Sequence, residues 1–136
     1  MHASHAQLDR ELDRLIIAVE AGDPDIRTLW DRVEGEILAH LDAEERFVLP
    51  SFARVDLAEA AQLLHEHGRI RELLMELGVA IDLHSARVAM CVGLVELLRA
   101  HADREQRFLY RWAATCLHPE LLRATVDRVS DFELVL

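Results

Sequence analysis

Two segments of the chain repeat one another around a histidine and a glutamate: His40-Leu-Asp-Ala-Glu44-Glu-Arg-Phe47 and His101-Ala-Asp-Arg-Glu105-Gln-Arg-Phe108. Each follows an earlier histidine that opens a second matching run. His5-Ala-Gln-Leu8 begins 35 residues before His40, and His67-Gly-Arg-Ile70 begins 34 residues before His101. The unit His…His-x3-Glu therefore occurs twice. Residues four apart on a helix point about 40° apart and lie roughly 6 Å apart along the axis, so each His-x3-Glu turns both side chains toward the same neighbour.

The apolar residues around these units recur at helical spacing. His5, Leu8, Leu12, Leu15 and Val19 form one stripe, which ends at the turn Gly22-Asp-Pro-Asp25. Ile26, Trp30, Val33, Ile37, His40, Glu44 and Phe47 form a second, running to Pro50, where a kink or an end is expected. Asp56 can cap a third helix with a buried face of Ala60, Leu64, His67, Ile70, Leu74, Leu77 and Ile81. Ser85 can cap a fourth, with Leu94, Leu98, His101, Glu105, Phe108 and Trp112 in register. Beyond His118-Pro119, an amphipathic stretch at about 119–133 predicts a short C-terminal helix across the bundle end. No segment alternates as a strand does. The expectation is an all-α protein, an antiparallel up-down-up-down four-helix bundle over about 2–116, with 1–136 as a single domain.

The histidines and glutamates sit on these stripes where leucine would be expected. A carboxylate buried without a partner is costly enough to be protonated or excluded, so Glu44 and Glu105 need compensation. Antiparallel packing can supply it. His5 lies 17 residues before Gly22 and His40 lies 14 after Ile26, while His67 lies 15 before Asp82 and His101 lies 15 after Ala86. At 1.5 Å per residue all four stand roughly 21–26 Å from their turns, and so at one height. Four imidazoles and two carboxylates around one cavity make a two-metal site, with the glutamates placed to bridge.

These residues and intervals resemble the hemerythrin-like, or HHE cation-binding, domain family, over most of the chain from about His5 to Trp112. The resemblance implies a non-haem di-iron centre, two iron ions joined by an oxo or hydroxo bridge. His5, His40, His67 and His101 would be terminal ligands and Glu44 and Glu105 bridging carboxylates. Ferritin-like bundles use Glu-x-x-His, which is absent here. Oxygen-carrying hemerythrins have a fifth histidine where this chain has Arg71, and an aspartate where it has Gln106. Fewer protein ligands leave more positions open to an exogenous ligand, which favours reaction with O2, peroxide or nitric oxide over reversible O2 carriage. Iron suits a mixed imidazole and carboxylate donor set, with manganese and zinc as alternatives.

Other residues near the site have plainer readings. A core histidine satisfied by a backbone carbonyl needs no buried glutamate beside it, and His65 falls about 200° around the helix from His67, facing away. His84 and His118 fall at helix ends. Glu45 and Glu66 read as a solvated face, with ligation by either left open. Tyr110 reads as packing, and Trp30, Phe47, Phe108 and Trp112 as an apolar wall around the site.

Composition excludes several classes. A net charge of −10 argues against a phosphate backbone as partner. The longest apolar run, Val88 to Val95, is too short to span a bilayer. With no basic and apolar leader at the start, and with Cys91 and Cys116 as reduced core thiols, a cytoplasmic protein is expected. Two functional classes follow: a protein that binds a small ligand (O2, peroxide or nitric oxide) for sensing or protection, and an oxidoreductase that turns such a ligand over. An iron-binding or iron-sensing module is the third alternative. An electron donor would be a partner of the second class, and the apolar tail from Leu121 to Leu136 could support a homodimer or seal the bundle.

Overall fold

The computed structural model describes the backbone of residues 2–116 and the side chains of residues 7–115. Six helices follow one another: α1 (His2–Ala21), α2 (Ile26–Phe47), α3 (Leu49–Ala53), α4 (Leu57–Asp82), α5 (Val88–Arg107) and α6 (Leu109–Cys116). The four long ones, α1, α2, α4 and α5, form an all-α bundle. α1 packs on α2 and α5, and α4 packs on the same two, so α1 and α4 stand on one diagonal. The helix expected over about 119–133 lies outside the described residues.

The first turn is built as its sequence dictates. Gly22 takes a φ of 62°, its N–H donates to the Val19 carbonyl, and the Asp23 N–H reaches back to Ala18. These bonds satisfy the last carbonyls of α1, and glycine adopts the left-handed conformation at no steric cost. Asp56 caps α4 as expected, its carboxylate accepting from the Glu59 N–H at 3.1 Å.

Ser85 does not cap α5, which corrects the sequence reading. It is the second residue of a C-terminal closure on α4: His84 is left-handed at φ 54°, its N–H donates to Ile81, and the Ser85 N–H and hydroxyl both donate to the Ala80 carbonyl. Serine is used here to end a helix. Arg87, extended and without a side-chain cap, precedes α5 instead.

Both helices that carry a His-x3-Glu pair break just past the glutamate. α2 bends at Val48, where Pro50 has no N–H to continue the ladder and its ring crowds the carbonyl of Arg46. α5 bends at Phe108 with the same backbone twist and no proline. The segments beyond, α3 and α6, pack on each other over the bundle end. Val48, Leu49, Phe52, Leu63 and Leu109 form a small apolar cluster there. The larger core, from Leu8 and Leu15 through Trp30, Ile37 and Leu74 to Leu94, fills the opposite end. Between the two lies a polar layer.

Some expected core positions move. Leu63 is buried and Leu64 exposed, because the inward face of α4 runs through Ala60, Leu63, His67 and Ile70. Trp30 is buried far from the polar layer, in a notch that exists because residue 78 is glycine: a Cβ there would meet the indole nitrogen at 3.1 Å. No helix of the described residues is long and apolar enough to cross a membrane.

The left-handed His84 generates a stability prediction. An L-residue with a Cβ is strained in this region by about 1–2 kcal/mol, part of which glycine loses again through its freer unfolded chain. His84→Gly should raise unfolding stability by about 0.5–1 kcal/mol in urea denaturation, since glycine is the residue this closure favours.

Candidate metal centre

Among the described side chains, three helices deliver the polar layer. His40 and Glu44 come from α2, His67 from α4, and His101 and Glu105 from α5, and all five are buried. Their relative placement follows from helix geometry: each His-x3-Glu pair shares one inward face, and His67 stands across from both. The Nε2 of His40 lies 3.3 Å from Glu44 Oε2, and the Nε2 of His101 lies 3.3 Å from Glu105 Oε1. His67 Nε2 sits between the carboxylates, 3.2 Å from Glu44 Oε1 and 3.9 Å from Glu105 Oε2. Donor atoms of Glu44, His67, His101 and Glu105 all fall within 4.8 Å of one another.

The donor set fits a cation. Ligand atoms bonded at about 2.0–2.2 Å stand roughly 3 Å apart around one ion, the spacing seen here. The Nε2 atoms of His40, His67 and His101, Glu44 Oε1 and both oxygens of Glu105 are buried and lack any hydrogen-bond partner. Buried polar atoms are almost always satisfied, so six orphaned polar atoms in one layer mark a cluster that could hold a cation.

Two of the imidazoles are fixed from behind. His67 Nδ1–H donates to Glu45 Oε2 at 2.7 Å, and His101 Nδ1–H donates to Glu66 Oε1 at 2.7 Å. A carboxylate behind Nδ1 selects the tautomer that leaves the Nε2 lone pair free, and it makes that nitrogen more basic. Arginines hold the carboxylates in turn. Arg71 pairs with Glu45 at 2.7 Å, and Arg104 lies 3.7 Å from Glu66 while gripping Glu59 with two N–H groups. Tyr110 completes the surroundings, its hydroxyl donating to Glu44 Oε2 at 2.6 Å.

The charges in the layer oppose one another. Burial, then the charge and closeness of Glu44, push the Glu105 carboxyl well above the usual carboxylate range. Burial acts against Glu44 as well, yet the His40 charge and the closeness of Glu105, His40 and His67 hold it well below that range. Burial also opposes a charge on His67, but the nearby carboxylates of Glu105, Glu44 and Glu45 raise it to about 9. Burial and the Glu44 and Glu105 charges keep the Tyr110 phenol protonated. A divalent cation resolves such a conflict directly, since it attracts both carboxylates and takes the place of the proton they hold on His67.

Most of the site residues expected from sequence meet here: His40, Glu44, His67, His101 and Glu105. His5 lies on α1, but its side chain is outside those described. His65 and His84 are exposed, as read, and His118 lies outside the described residues. Cys91 is a buried free thiol in the core.

Three readings are corrected. Glu45 and Glu66 form no solvated face; they are the carboxylates behind His67 and His101. Their signal was adjacency, because each neighbours a site residue and projects into the seam with the next helix. Tyr110 does more than pack. On a straight helix it would point about 140° away from Glu105, and only the bend at Phe108 brings it in. The aromatic wall is also smaller than expected. Phe47 and Phe108 are exposed, while Trp112 packs at a tilt of 56° against Phe52 with ring centres 5.2 Å apart.

Metal analysis after desalting should show Glu44→Ala and Glu105→Ala depleted of metal, with His65→Ala at the unaltered protein's level. Equal loss in His65→Ala and His67→Ala would refute the facial assignment. Tyr110→Phe removes a hydrogen bond to a buried carboxylate and should lower stability by about 1.5–3 kcal/mol in denaturant melts.

A family model described as the hemerythrin HHE cation binding domain matches residues 1–113. No curated protein and no solved structure matches the chain.

Proposed function

The chain belongs to the hemerythrin HHE cation-binding family, and from that premise we propose that it is a non-haem di-iron protein acting on a small ligand, O2, peroxide or nitric oxide, in sensing or protection. His5, His40, His67 and His101 would be terminal ligands, with Glu44 and Glu105 bridging. The observation that carries this reading is the set of orphaned Nε2 and carboxylate oxygen atoms in one buried layer. Two irons sharing carboxylates would supply redox chemistry toward the bound ligand.

The protein's part is to hold the donors, keep water out and leave room. Neither position at which this chain departs from the oxygen carriers adds a donor: Arg71 is engaged with Glu45 at the surface, and Gln106 is exposed. Coordination positions therefore stay open to an exogenous ligand. The apolar cap of Val48, Leu49, Phe52 and Leu109 shields the layer from bulk water. A cytoplasmic setting belongs to this reading, in keeping with Cys91 as a free thiol.

Tyr110 favours a second reading, an oxidoreductase that turns the ligand over with electrons from a donor protein. Its protonated phenol touches Glu44, so a proton source stands at the edge of the layer.

Mixing the reduced, iron-loaded protein with O2 in stopped flow tests the proposal. Irreversible O2 consumption with a change in the visible spectrum is expected. Uptake that reverses fully under vacuum would mark an oxygen carrier and overturn it. Sustained consumption of peroxide with an added reductant would select the enzyme.

A further inference from the structure

We propose that the two cation positions of this centre are unequal, and that the one held by His67 and His101, between α4 and α5, fills first and keeps its metal longer. The proposal deepens the dinuclear reading above and rests on it.

Two independent observations point the same way. The first is assembly of the donors. Glu44, His67, His101 and Glu105 already bring ligand atoms within 4.8 Å of one another, a four-donor set for one cation, and among the described residues His40 stands outside that group. A site whose donors are already gathered loses less conformational freedom on binding, so it binds more tightly.

The second is support behind the imidazoles. His67 and His101 each donate Nδ1–H to a carboxylate at 2.7 Å, and an arginine stands behind each carboxylate, at 2.7 Å for Arg71 on Glu45 and 3.7 Å for Arg104 on Glu66. Nδ1 of His40 is buried with no hydrogen-bond partner. His40 thus has no carboxylate behind it to fix its tautomer or raise its basicity, and is the weaker donor.

The internal repeat shows that this asymmetry is written into the chain. Superposing the units places His67 on His5 and His101 on His40, and the same registers place Glu45 on Gln106 and Glu66 on Ser4. Arg71 falls on Asp9 and Arg104 on Ala43. The ligands are duplicated, and the carboxylates and arginines behind them are not. Neither serine nor glutamine carries the negative charge that a carboxylate sets behind Nδ1, so the matching registers of the first unit lack the device that strengthens the other.

The consequence is a protein that exists in three metal states. At limiting iron it holds one ion between α4 and α5, and the bridged pair forms only as iron rises. Small-ligand chemistry would then depend on iron supply through the weaker position.

The full chain, stripped of metal and titrated anaerobically with Fe(II) against a coloured chelator, should load in two steps, the first complete at one iron per chain. Glu45→Gln and Glu66→Gln keep the side-chain shape and should each weaken the first step by roughly 10- to 100-fold, merging the two. Arg71→Gln, at a part-exposed side chain, should act in the same direction without altering a buried group. His40→Ala should keep one tight iron, and His67→Ala should lose it. Loading in a single step to two irons, or a tight iron that survives His67→Ala but not His40→Ala, would overturn the inequality and leave the dinuclear centre standing. Saturation below two irons per chain would overturn the dinuclear reading itself.

Discussion

Moving a carboxylate from water into an apolar interior costs several kcal/mol even after the surroundings relax, and this chain does so twice in one layer, at Glu44 and Glu105. Their nearest buried neighbours are imidazoles, themselves short of hydrogen-bond partners on the Nε2 side. A helical bundle gains nothing in stability from such a layer as it stands, because leucine at each position would pack without any desolvation penalty. Residues of this kind at core positions are retained for what they bind.

The rest of the structure accommodates that layer. The long core from Leu8 to Leu94 secures the four helices at the loop end, where the turns at Gly22 and His84 close α1 and α4 tightly. At the other end the bundle cannot simply run on, since two straight helices carrying Glu44 and Glu105 would leave the layer open. The bends at Val48 and Phe108 turn α3 and α6 inward, and their apolar residues close the end. The bend at Phe108 also delivers Tyr110 to Glu44. Shielding and hydrogen bonding thus follow from one change in backbone direction.

Much of this was legible in the sequence, for a definite reason. The positions of His40, Glu44, His67, His101 and Glu105 are fixed by helical period and by height above a turn, both of which depend on counting alone. The surroundings depend on side chains that cross between helices, and counting does not reach them. Glu45 and Glu66 look like surface residues along their own helices; they become supports because α4 and α5 pass beside them. Leu63 and Leu64 exchange roles through a small rotation of α4. Tyr110 needed the bend at Phe108, for which the sequence offers no proline. Glu11 is buried near Arg32, 4.0 Å away, and no pattern in α1 marks it. Ser85 was misread because the residue that ends one helix can look like the residue that starts the next.

The repeat itself explains why both hairpins remain in one chain. Two copies of a single hairpin could supply two sets of His…His-x3-Glu and bury them face to face, and would then repeat every supporting contact as well. Here two of the supports cross between halves, and they are unlike. Glu45 of the first half stands behind His67 of the second, while Tyr110 of the second donates to Glu44 of the first. The residue that matches Tyr110 in the first half is Leu49, which is buried in the apolar cap. A tyrosine at position 49 would put a second hydroxyl where the cap is dry, and a leucine at position 110 would leave Glu44 Oε2 without its donor. One carboxylate is therefore held by a hydroxyl and the other is left without a hydrogen-bond partner. Joining two unlike hairpins in one chain fixes that difference, and it gives the Glu44 and Glu105 carboxylates distinct electrostatic surroundings.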